Sequence, residues 1–226
     1  MTTSFSQQIK EGTKKSHNAA ENTRFVSQFL KGVVSRDNYS KLTSNFYFIY
    51  RAMEEEIDKL TETNQCIGMI YNKSLERQTE LEKDLQYFYG DQWKTLINPS
   101  PATQTYVNRI REVATTTPEL LVAHHYTRYM GDLSGGQILK QIAKTALTLD
   151  DIPGNGLNFY DFPLNPSNAK IQYRAILDEL PLTFNQQQDI IKEANNAFAL
   201  NMYMFDELHG NPIKSLLKLI INKFKS

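Results

Sequence analysis

The sequence predicts an all-α protein folded as one compact domain. Apolar residues recur at helical spacing through most of the 226-residue chain, patterns typical of strands do not occur, and polar-residue-then-proline pairs mark helix starts. The length suits a single hydrophobic core, and no linker divides the chain. We therefore expect one domain over residues 1–226, with its core at about 4–208.

Two apolar stripes and five start signals predict the helices in order. The stripes run from Leu42 to Leu60 and from Ile191 to Leu208. A capping residue precedes a proline, which suits the first helical turn, at Ser100-Pro101, Thr117-Pro118, Asn165-Pro166 and Asn211-Pro212, and Thr183 with Gln186 forms a capping-box pattern. At the usual helix length, the chain holds about eight or nine helices. Residues 150–166, rich in Pro and Gly, are expected to form the main loop.

Charge, cysteine content and hydropathy exclude several classes of protein. Lys plus Arg and Asp plus Glu are both 25, so no overall field attracts the molecule to nucleic acid, and we expect no such partner. The single cysteine, Cys66, excludes a zinc cluster of cysteines and fits a reducing compartment. No apolar run approaches the roughly 18 residues of a membrane span, and the N-terminus lacks the apolar region of a signal peptide. The sequence thus predicts a soluble protein without a transmembrane anchor.

The segment 211–226 differs from the rest because it is apolar with interspersed lysines. We expect it to form a basic amphipathic C-terminal helix or tail that packs on the domain. Covering a groove or touching a membrane surface are the alternatives.

The first candidate for chemistry is a polar stripe near the N-terminus. Lys10, Lys14, His17 and Glu21 follow each other at intervals of four, three and four residues, so they share one helix face. Such a stripe is typical of a solvated charged face with an incidental histidine. It also suits a ligand that has a central metal and peripheral carboxylates, because an imidazole lies beside two ammonium groups.

The second candidate is a glycine-rich stretch in the run YTRYMGDLSGGQIL, residues 126–139. Gly131, Gly135 and Gly136 each cost a helix about 1 kcal/mol relative to alanine, so something must compensate. Gly131 and Gly135 share a face on which another surface can approach the backbone. That surface is either a neighbouring helix or a flat ligand, and spacing alone does not separate the two.

Three polar residues accompany the glycines. Arg128 and Asp132 are four residues apart, which is typical of a surface ion pair, and Tyr50 in the Leu42–Leu60 stripe reads by default as a core tyrosine. If a flat ligand lies on the glycine face, the carboxylate of Asp132 can order water beside it. Arg128 would then hold that carboxylate, and Tyr50 is a second candidate for the same network.

These segments resemble the haem oxygenases. The resemblance covers roughly residues 4–208, and its most specific parts are KEGTKKSHNAAE, FIYRAMEEE, PELLVAHHYTRYMGDLSGGQILKQIA and NNAFALNMYMFDEL. It implies an all-α fold in which haem lies between a proximal and a distal helix. The departures from the family pattern are His125, beside Tyr126, and Met130, before Gly131.

The resemblance also implies a role for each candidate residue. His17 is the proximal iron ligand and Glu21 the carboxylate that holds its imidazole, while Asp132 organises distal water with support from Tyr50 and Arg128. The distal backbone against the macrocycle is Gly131, Gly135 and Gly136; the residues that meet the haem propionates are Lys10, Lys14, Tyr126, Lys170 and Arg174; Phe205 is a wall aromatic and Asn201 a polar residue behind the site.

The activity implied is oxidative cleavage of haem to biliverdin IX-alpha, carbon monoxide and ferrous iron. Haem b is both substrate and cofactor, and O2 is the co-substrate. Glycine backbone and water held by Asp132 suit this reaction, because a strong acid over the bound oxygen would favour O–O cleavage instead. The lack of an anchor and of a targeting segment favours the ferredoxin-dependent type of the cyanobacterial cytoplasm or plastid stroma, whose biliverdin feeds bilin pigment synthesis through a bilin reductase.

The residues bear on three alternative functions. A helical di-iron carboxylate protein needs several Glu and Glu-x-x-His ligands, and the nearest pattern here, Asp206 with His209, occurs once, so the number of ligands is insufficient. A non-enzymatic haem-binding or transport protein and an iron-scavenging haem degrader, which would also be soluble, would share the same scaffold. The expected electron donor is ferredoxin or another soluble donor. Loss of the Soret band on reduction under air separates an enzyme from a carrier.

Overall fold

The computed structural model describes residues 3–150, 152 and 154–209. Every regular element in these ranges is a helix, so the predicted all-α class is confirmed. The α-helices are α1 (Phe5–Glu21), α2 (Arg24–Leu30), α3 (Arg36–Leu60), α4 (Gln65–Ile70), α5 (Gln78–Tyr89), α6 (Trp93–Leu96), α7 (Pro101–Thr116), α8 (Leu121–Ala146), α9 (Pro166–Glu179) and α10 (Phe184–Leu208). Short 3-10 helices span Lys73–Leu75, Pro118–Leu120 and Asn158–Tyr160.

The helix starts follow the capping signals of the sequence. The Ser100 and Asn165 side chains accept hydrogen bonds from the backbone N–H groups of the third helical residues of α7 and α9. Thr183 and Gln186 form the capping box that opens α10. The pair Thr117-Pro118 opens a 3-10 helix that leads into α8, and Asn211-Pro212 lies outside the described residues.

The described part of the chain holds ten α-helices, where about eight or nine were expected from the usual helix length. The difference comes from α2, α4 and α6, which have 7, 6 and 4 residues. Helices this short give no periodic hydrophobic signal, so the sequence pattern does not reveal them.

Three long helices, α3, α8 and α10, build the core. The stripe of α3 is buried at Leu42, Phe46, Ile49, Met53 and Ile57. Helix α10 packs against both α1 and α8. The approach of α1 to α10 is close at Gly12, where an added Cβ would lie 2.6 Å from the Ile191 Cγ2 atom. Because α10 contacts both helices, it fixes the position of α1 relative to α8.

The remaining predictions concern the loop and the termini. The segment between α8 and α9 contains a single 3-10 turn among its described residues, as its Pro and Gly content indicates. No helix in the described ranges combines the length and apolar character needed to cross a membrane. The expected helix or tail at residues 211–226 lies outside those ranges.

Candidate functional site

The glycine face of α8, formed by Gly131 and Gly135, is open. A Cβ atom added at either residue would meet no heavy atom within 4 Å. Ile138 continues this face of the helix and is 63% exposed. Since no neighbouring side chain or backbone among the described residues fills the space, the two glycines do not serve helix packing. They leave room for a flat ligand directly against the α8 backbone.

Gly136 lies on a different side of the same helix. It is buried, and an added Cβ would make ordinary contact with the Tyr160 ring at 3.5 Å. The backbone carbonyl of Tyr160 also accepts a hydrogen bond of 2.9 Å from the Gln137 side chain. Gly136 therefore faces the protein interior, where the 3-10 helix Asn158–Tyr160 supports α8.

A buried polar network adjoins the open face. The Tyr50 hydroxyl donates a hydrogen bond to Asp132 Oδ2. Arg128 donates from Nε to the Tyr50 hydroxyl at 3.0 Å and from Nη1 to Asn201 Oδ1 at 2.7 Å, and its Nη2 lies 3.6 Å from Asp132 Oδ1. Asn201 in turn donates to the Ala197 carbonyl at 2.9 Å. Helices α3, α8 and α10 thus each contribute to one connected cluster around Asp132.

Burial controls the ionisation of this cluster. It raises the pKa of the Asp132 carboxyl, although the Arg128 charge and the Tyr50 hydroxyl oppose the rise. Burial also raises the pKa of Tyr50 well above its usual value, so this residue keeps its proton. For Arg128, burial lowers the pKa but the groups around it raise it further, so the guanidinium stays charged. The central carbon of the Arg128 guanidinium also lies 4.4 Å from the centre of the Phe46 ring, over its face. Asp132 is consequently more readily protonated than an exposed aspartate.

The residues that support this network from behind were not predicted from the sequence. Glu54 is buried and accepts hydrogen bonds from the backbone N–H of Arg77 at 2.6 Å and from the Tyr129 hydroxyl at 2.7 Å. Burial raises the pKa of Glu54 to about 7. In the sequence, Glu54 comes directly after Met53 of the buried stripe of α3 and begins the run Glu54-Glu55-Glu56. The composition of this run does not show which of its three carboxylates is buried. Only the rotation of α3 distinguishes them.

A second buried carboxylate holds the 3-10 helix Asn158–Tyr160. Asp84 accepts backbone hydrogen bonds of 2.8 Å from both Asn158 and Phe159, and burial raises its pKa to about 6. The Phe159 ring packs 5.4 Å from the ring of Tyr50. No sequence signal connected Asp84 with the network, because its partners, Asn158 and Phe159, lie in a segment far away in the sequence.

The polar stripe of α1 lies on the surface. Lys10, Lys14, His17 and Glu21 are all exposed, and His17 retains 50% of its side-chain surface. The His17 Nδ1 atom lies 3.7 Å from Glu21 Oε2, which is longer than a hydrogen bond. The ring of Phe198 on α10 meets the His17 ring edge-on at 5.8 Å. The imidazole is therefore accessible, and on one side it packs against Phe198, which was not predicted from the sequence.

Of the candidate propionate-binding residues, Tyr126 on α8 lies beside Thr13 of α1 and Arg174 of α9. Tyr126 is partly buried, and burial raises the pKa of its hydroxyl while the neighbouring Thr13 hydroxyl and Arg174 charge oppose that rise. Lys170 is partly buried and Arg174 exposed on α9. Phe205, the candidate wall aromatic, stacks on Phe25 of α2 with 5.8 Å between ring centres. The predicted residues thus include a buried distal network, an open glycine face, an exposed polar stripe on α1, and the neighbouring pair Tyr126 and Arg174.

The described residues contain no group of three or more His, Cys, Asp and Glu side chains that could hold a metal ion. A di-iron centre needs several such ligands from facing helices. By contrast, a metal ion that is already bound in a macrocycle needs only one axial side chain from the protein, such as His17.

Comparison with known proteins agrees with this arrangement. The family model described as "Heme oxygenase" matches residues 3–207. The chain is 49% identical to "Heme oxygenase 1" of Synechocystis, over 98% of this chain and 92% of that protein, and 48% identical to "Heme oxygenase" of Porphyra purpurea, over 98% and 94%.

Solved structures show the same fold. Heme oxygenase-1 of Synechocystis in complex with heme superimposes with a TM-score of 0.88 at 48% identity, covering 98% of this chain and 100% of that one. The heme oxygenase of Leptospira interrogans gives 0.87 at 42% identity, covering 91% and 100%. The resemblance inferred from the motifs is confirmed: the chain belongs to the haem oxygenase family of haem-degrading oxidoreductases.

Proposed function

We propose that haem binds between α1 and the glycine face of α8, with His17 as the iron ligand, and is cleaved there with O2 to biliverdin IX-alpha, carbon monoxide and ferrous iron. The observation that carries this assignment is the open space over Gly131 and Gly135, directly beside the buried Asp132 network. Bare backbone admits a flat ring, and the network offers hydrogen bonds at its edge. We also propose that residues 1–226 form a single domain with its core at about 4–208.

The two helices have separate tasks. His17 presents an accessible imidazole, and Glu21, 3.7 Å from Nδ1, orients the ring so that Nε2 is left for the iron. Phe198 limits rotation of the same ring from the α10 side. On the other helix, Gly131 and Gly135 bring the backbone against the macrocycle. Gly136 continues the backbone stretch that lies against the macrocycle, and its own side faces Tyr160, where an added Cβ would make only ordinary contact.

A basic corner holds the haem propionates. Lys10 and Lys14 reach it from α1, Tyr126 from α8, and Lys170 and Arg174 from α9. Ammonium and guanidinium groups bind carboxylates through charge-assisted hydrogen bonds, which fix the orientation of the ligand as well as its affinity. Phe205, stacked on Phe25, closes the wall of the pocket.

Haem supplies a reducible iron for O2 and the ring carbon that is oxidised. The protein supplies weak proton donation at the distal side. Asp132 holds water there, and its raised pKa lets the carboxyl exchange a proton more readily than an exposed carboxylate. Tyr50 fixes the carboxylate, and Arg128 is turned towards Tyr50 and Asn201. A charged donor is thereby held within the protein, where it does not promote premature O–O cleavage.

Electrons come from ferredoxin or another soluble donor, and the biliverdin passes to a bilin reductase in a cyanobacterial cytoplasm or a plastid stroma. The similarity to proteins of Synechocystis and of red algae supports this part of the proposal.

Hemin turnover tests the function. The purified chain is mixed with one equivalent of hemin and reduced under air, either by ferredoxin with its reductase or by a chemical reductant. We expect the Soret band to disappear and biliverdin to form. A flavodoxin of equal reduction potential is run as a further electron donor, and the rate of biliverdin formation should be higher with ferredoxin. A Soret band that survives reduction would indicate a carrier, and equal rates with both proteins would contradict the ferredoxin assignment.

A further inference from the structure

His125 lies at the junction of α8 and α9. It is 2% exposed, and its Nδ1 atom is hydrogen-bonded to the Tyr173 hydroxyl of α9 at 2.7 Å. The two rings stack with 5.3 Å between centres and 8° between planes. The Tyr129 ring closes the other side, 4.5 Å away at 63°. His125 is therefore fixed by one hydrogen bond and two ring contacts.

The imidazole acts here as a neutral group. Burial lowers the pKa of His125 from 6.5 to about 3, and burial likewise raises the pKa of Tyr173 well above its usual value. Both groups are uncharged at neutral pH, so the pair is a directional hydrogen bond between two neutral rings and not an ion pair.

Tyr173 lies among the basic residues of α9. It follows Lys170 by three positions and precedes Arg174, so these side chains occupy adjoining parts of one helix surface. Farther along α9, Asp178 accepts hydrogen bonds from the Ser6 backbone N–H at 2.7 Å and from the Ser6 hydroxyl at 3.0 Å, at the start of α1. The Tyr173–His125 bond ties α9 to α8, and the Asp178–Ser6 bonds tie it to α1.

Apolar packing by itself does not fix the rotation of α9. Leu177 is buried against the core, but hydrophobic contacts are not directional and tolerate small rotations of a helix about its axis. A hydrogen bond between two stacked rings restricts both rotation and sliding. The long side chains of Lys170 and Arg174 would amplify any rotation at their tips.

We propose that His125 is a positioning residue, which through Tyr173 sets where Lys170 and Arg174 meet the haem propionates and so determines which ring edge is oxidised. This inference rests on the proposed role of Lys170 and Arg174 in propionate binding. His125 itself touches neither the haem nor the reacting oxygen in this account. Its effect is on the orientation of the substrate over the glycine face.

The test compares Tyr173→Phe with wild type in biliverdin isomer distribution, separated by chromatography after hemin turnover. The substitution removes one hydroxyl and keeps the stacked rings. We expect the share of minor isomers to rise about three- to tenfold, the factor that corresponds to loss of one hydrogen bond. Arg174→Ala serves as the reference, because it removes one member of the propionate clamp, the proposed contacts of Lys170 and Arg174 with the propionates. Val113→Ala, a buried substitution in α7, controls for general loss of stability and should leave the distribution unchanged.

Hydrogen exchange gives a readout that is independent of activity. In the full chain, with and without haem, the amides of Pro166–Glu179 should exchange faster in Tyr173→Phe than in wild type, while those of α7 should not. The double variant His125→Phe/Tyr173→Phe removes both polar partners and leaves neither unsatisfied. We expect it to recover thermal stability but to keep the altered isomer distribution, because the directional bond is still missing.

The outcomes separate the inference from the function on which it rests. Altered isomers in Arg174→Ala but not in Tyr173→Phe would overturn the role of His125 and leave the propionate clamp intact. Unchanged isomers in both variants would overturn the clamp itself, and with it the inference. Altered isomers in Val113→Ala as well would mean that any destabilisation changes the product, which also overturns the specific role of His125.

Discussion

The α1 stripe and the distal network of α8 differ in how their residues are held. His17 on α1 is half exposed, and its nearest charged partner, Glu21, lies 3.7 Å away. Asp132 on α8 is held by Tyr50 and Arg128, and Arg128 is anchored by Asn201, which connects three helices. The α1 stripe thus presents an accessible imidazole on the surface, whereas the α8 network is held inside the protein by hydrogen bonds between three helices. This difference fits a division of labour in which α1 binds iron and α8 directs the reaction.

The largest stability effect is expected where the buried network is broken. Arg128→Met removes the charge that pairs with Asp132 and leaves Asn201 and Tyr50 without their donor, so it should lower the free energy of unfolding by about 3 kcal/mol. Urea denaturation measures this. The control is Arg111→Met, since Arg111 is half exposed and lies 3.8 Å from Glu55; its effect should stay below about 0.5 kcal/mol. Equal losses for both variants would show that the distal network is held no more firmly than an exposed ion pair.

A pH dependence of stability should come from Glu54 behind the network. The folded protein raises its pKa from 4.5 to about 7, so the folded state binds this proton more tightly than the unfolded chain. The group therefore stabilises the fold most below about pH 4.5, and this contribution is lost as the pH rises to about 7. Between pH 5 and 8 the contribution of Glu54 should fall by about 2 kcal/mol, so the total loss should be smaller by about that amount in Glu54→Gln, while the part that comes from the raised pKa of Asp84 remains. An unchanged pH slope in that variant would show that Glu54 is not the responsible group.

A methyl group added to the glycine face should stabilise the haem-free protein but weaken haem binding. Gly135→Ala places a methyl group in open space, so the haem-free protein should gain about 0.5–1 kcal/mol from the better helix propensity. Haem binding should weaken, because the methyl group occupies the position of the ring. Gly12→Ala is the contrasting control: its Cβ would lie 2.6 Å from Ile191 and should destabilise the protein in both states. Thermal melts and hemin titration measure the two effects, and unimpaired haem affinity in Gly135→Ala would remove the glycine face from the site.

The smallest effect is expected at Glu21. Since its carboxylate is exposed, Glu21→Gln should change the free energy of unfolding by less than about 0.5 kcal/mol. The carboxylate should still matter once haem is bound, because it orients the ligand imidazole and raises its basicity. A modest rise in the reduction potential of the haem complex is the expected signature. An unchanged potential would show that Glu21 does not act on His17.

The sequence predicted those parts of the fold and site that local patterns encode. The capped starts of α7, α9 and α10 follow from Ser100, Asn165 and Thr183. The openness of the face over Gly131 and Gly135 did not follow, because spacing is the same for a packing notch and a ligand face; only the emptiness of the space decides.

Residues whose role depends on tertiary packing escaped prediction. Glu54 and Asp84 receive their partners from segments far away in sequence, so neither composition nor periodicity distinguishes them from exposed neighbours. Phe198 reads as one more apolar residue of α10, and its contact with His17 depends on how α1 lies against α10. The roles assigned to His17, Asp132 and the basic corner remain predictions until the variants are measured.

The division of labour is tested most directly by measuring hemin affinity, absorption spectrum and biliverdin yield on the same samples of His17→Ala and Asp132→Ala. We expect His17→Ala to lose the spectrum of imidazole-ligated haem. Asp132→Ala should keep that spectrum and bind hemin within about twofold of wild type, yet form at least about tenfold less biliverdin, because it lacks the organiser of distal water. A normal biliverdin yield from Asp132→Ala, or an unchanged spectrum in His17→Ala, would contradict the account.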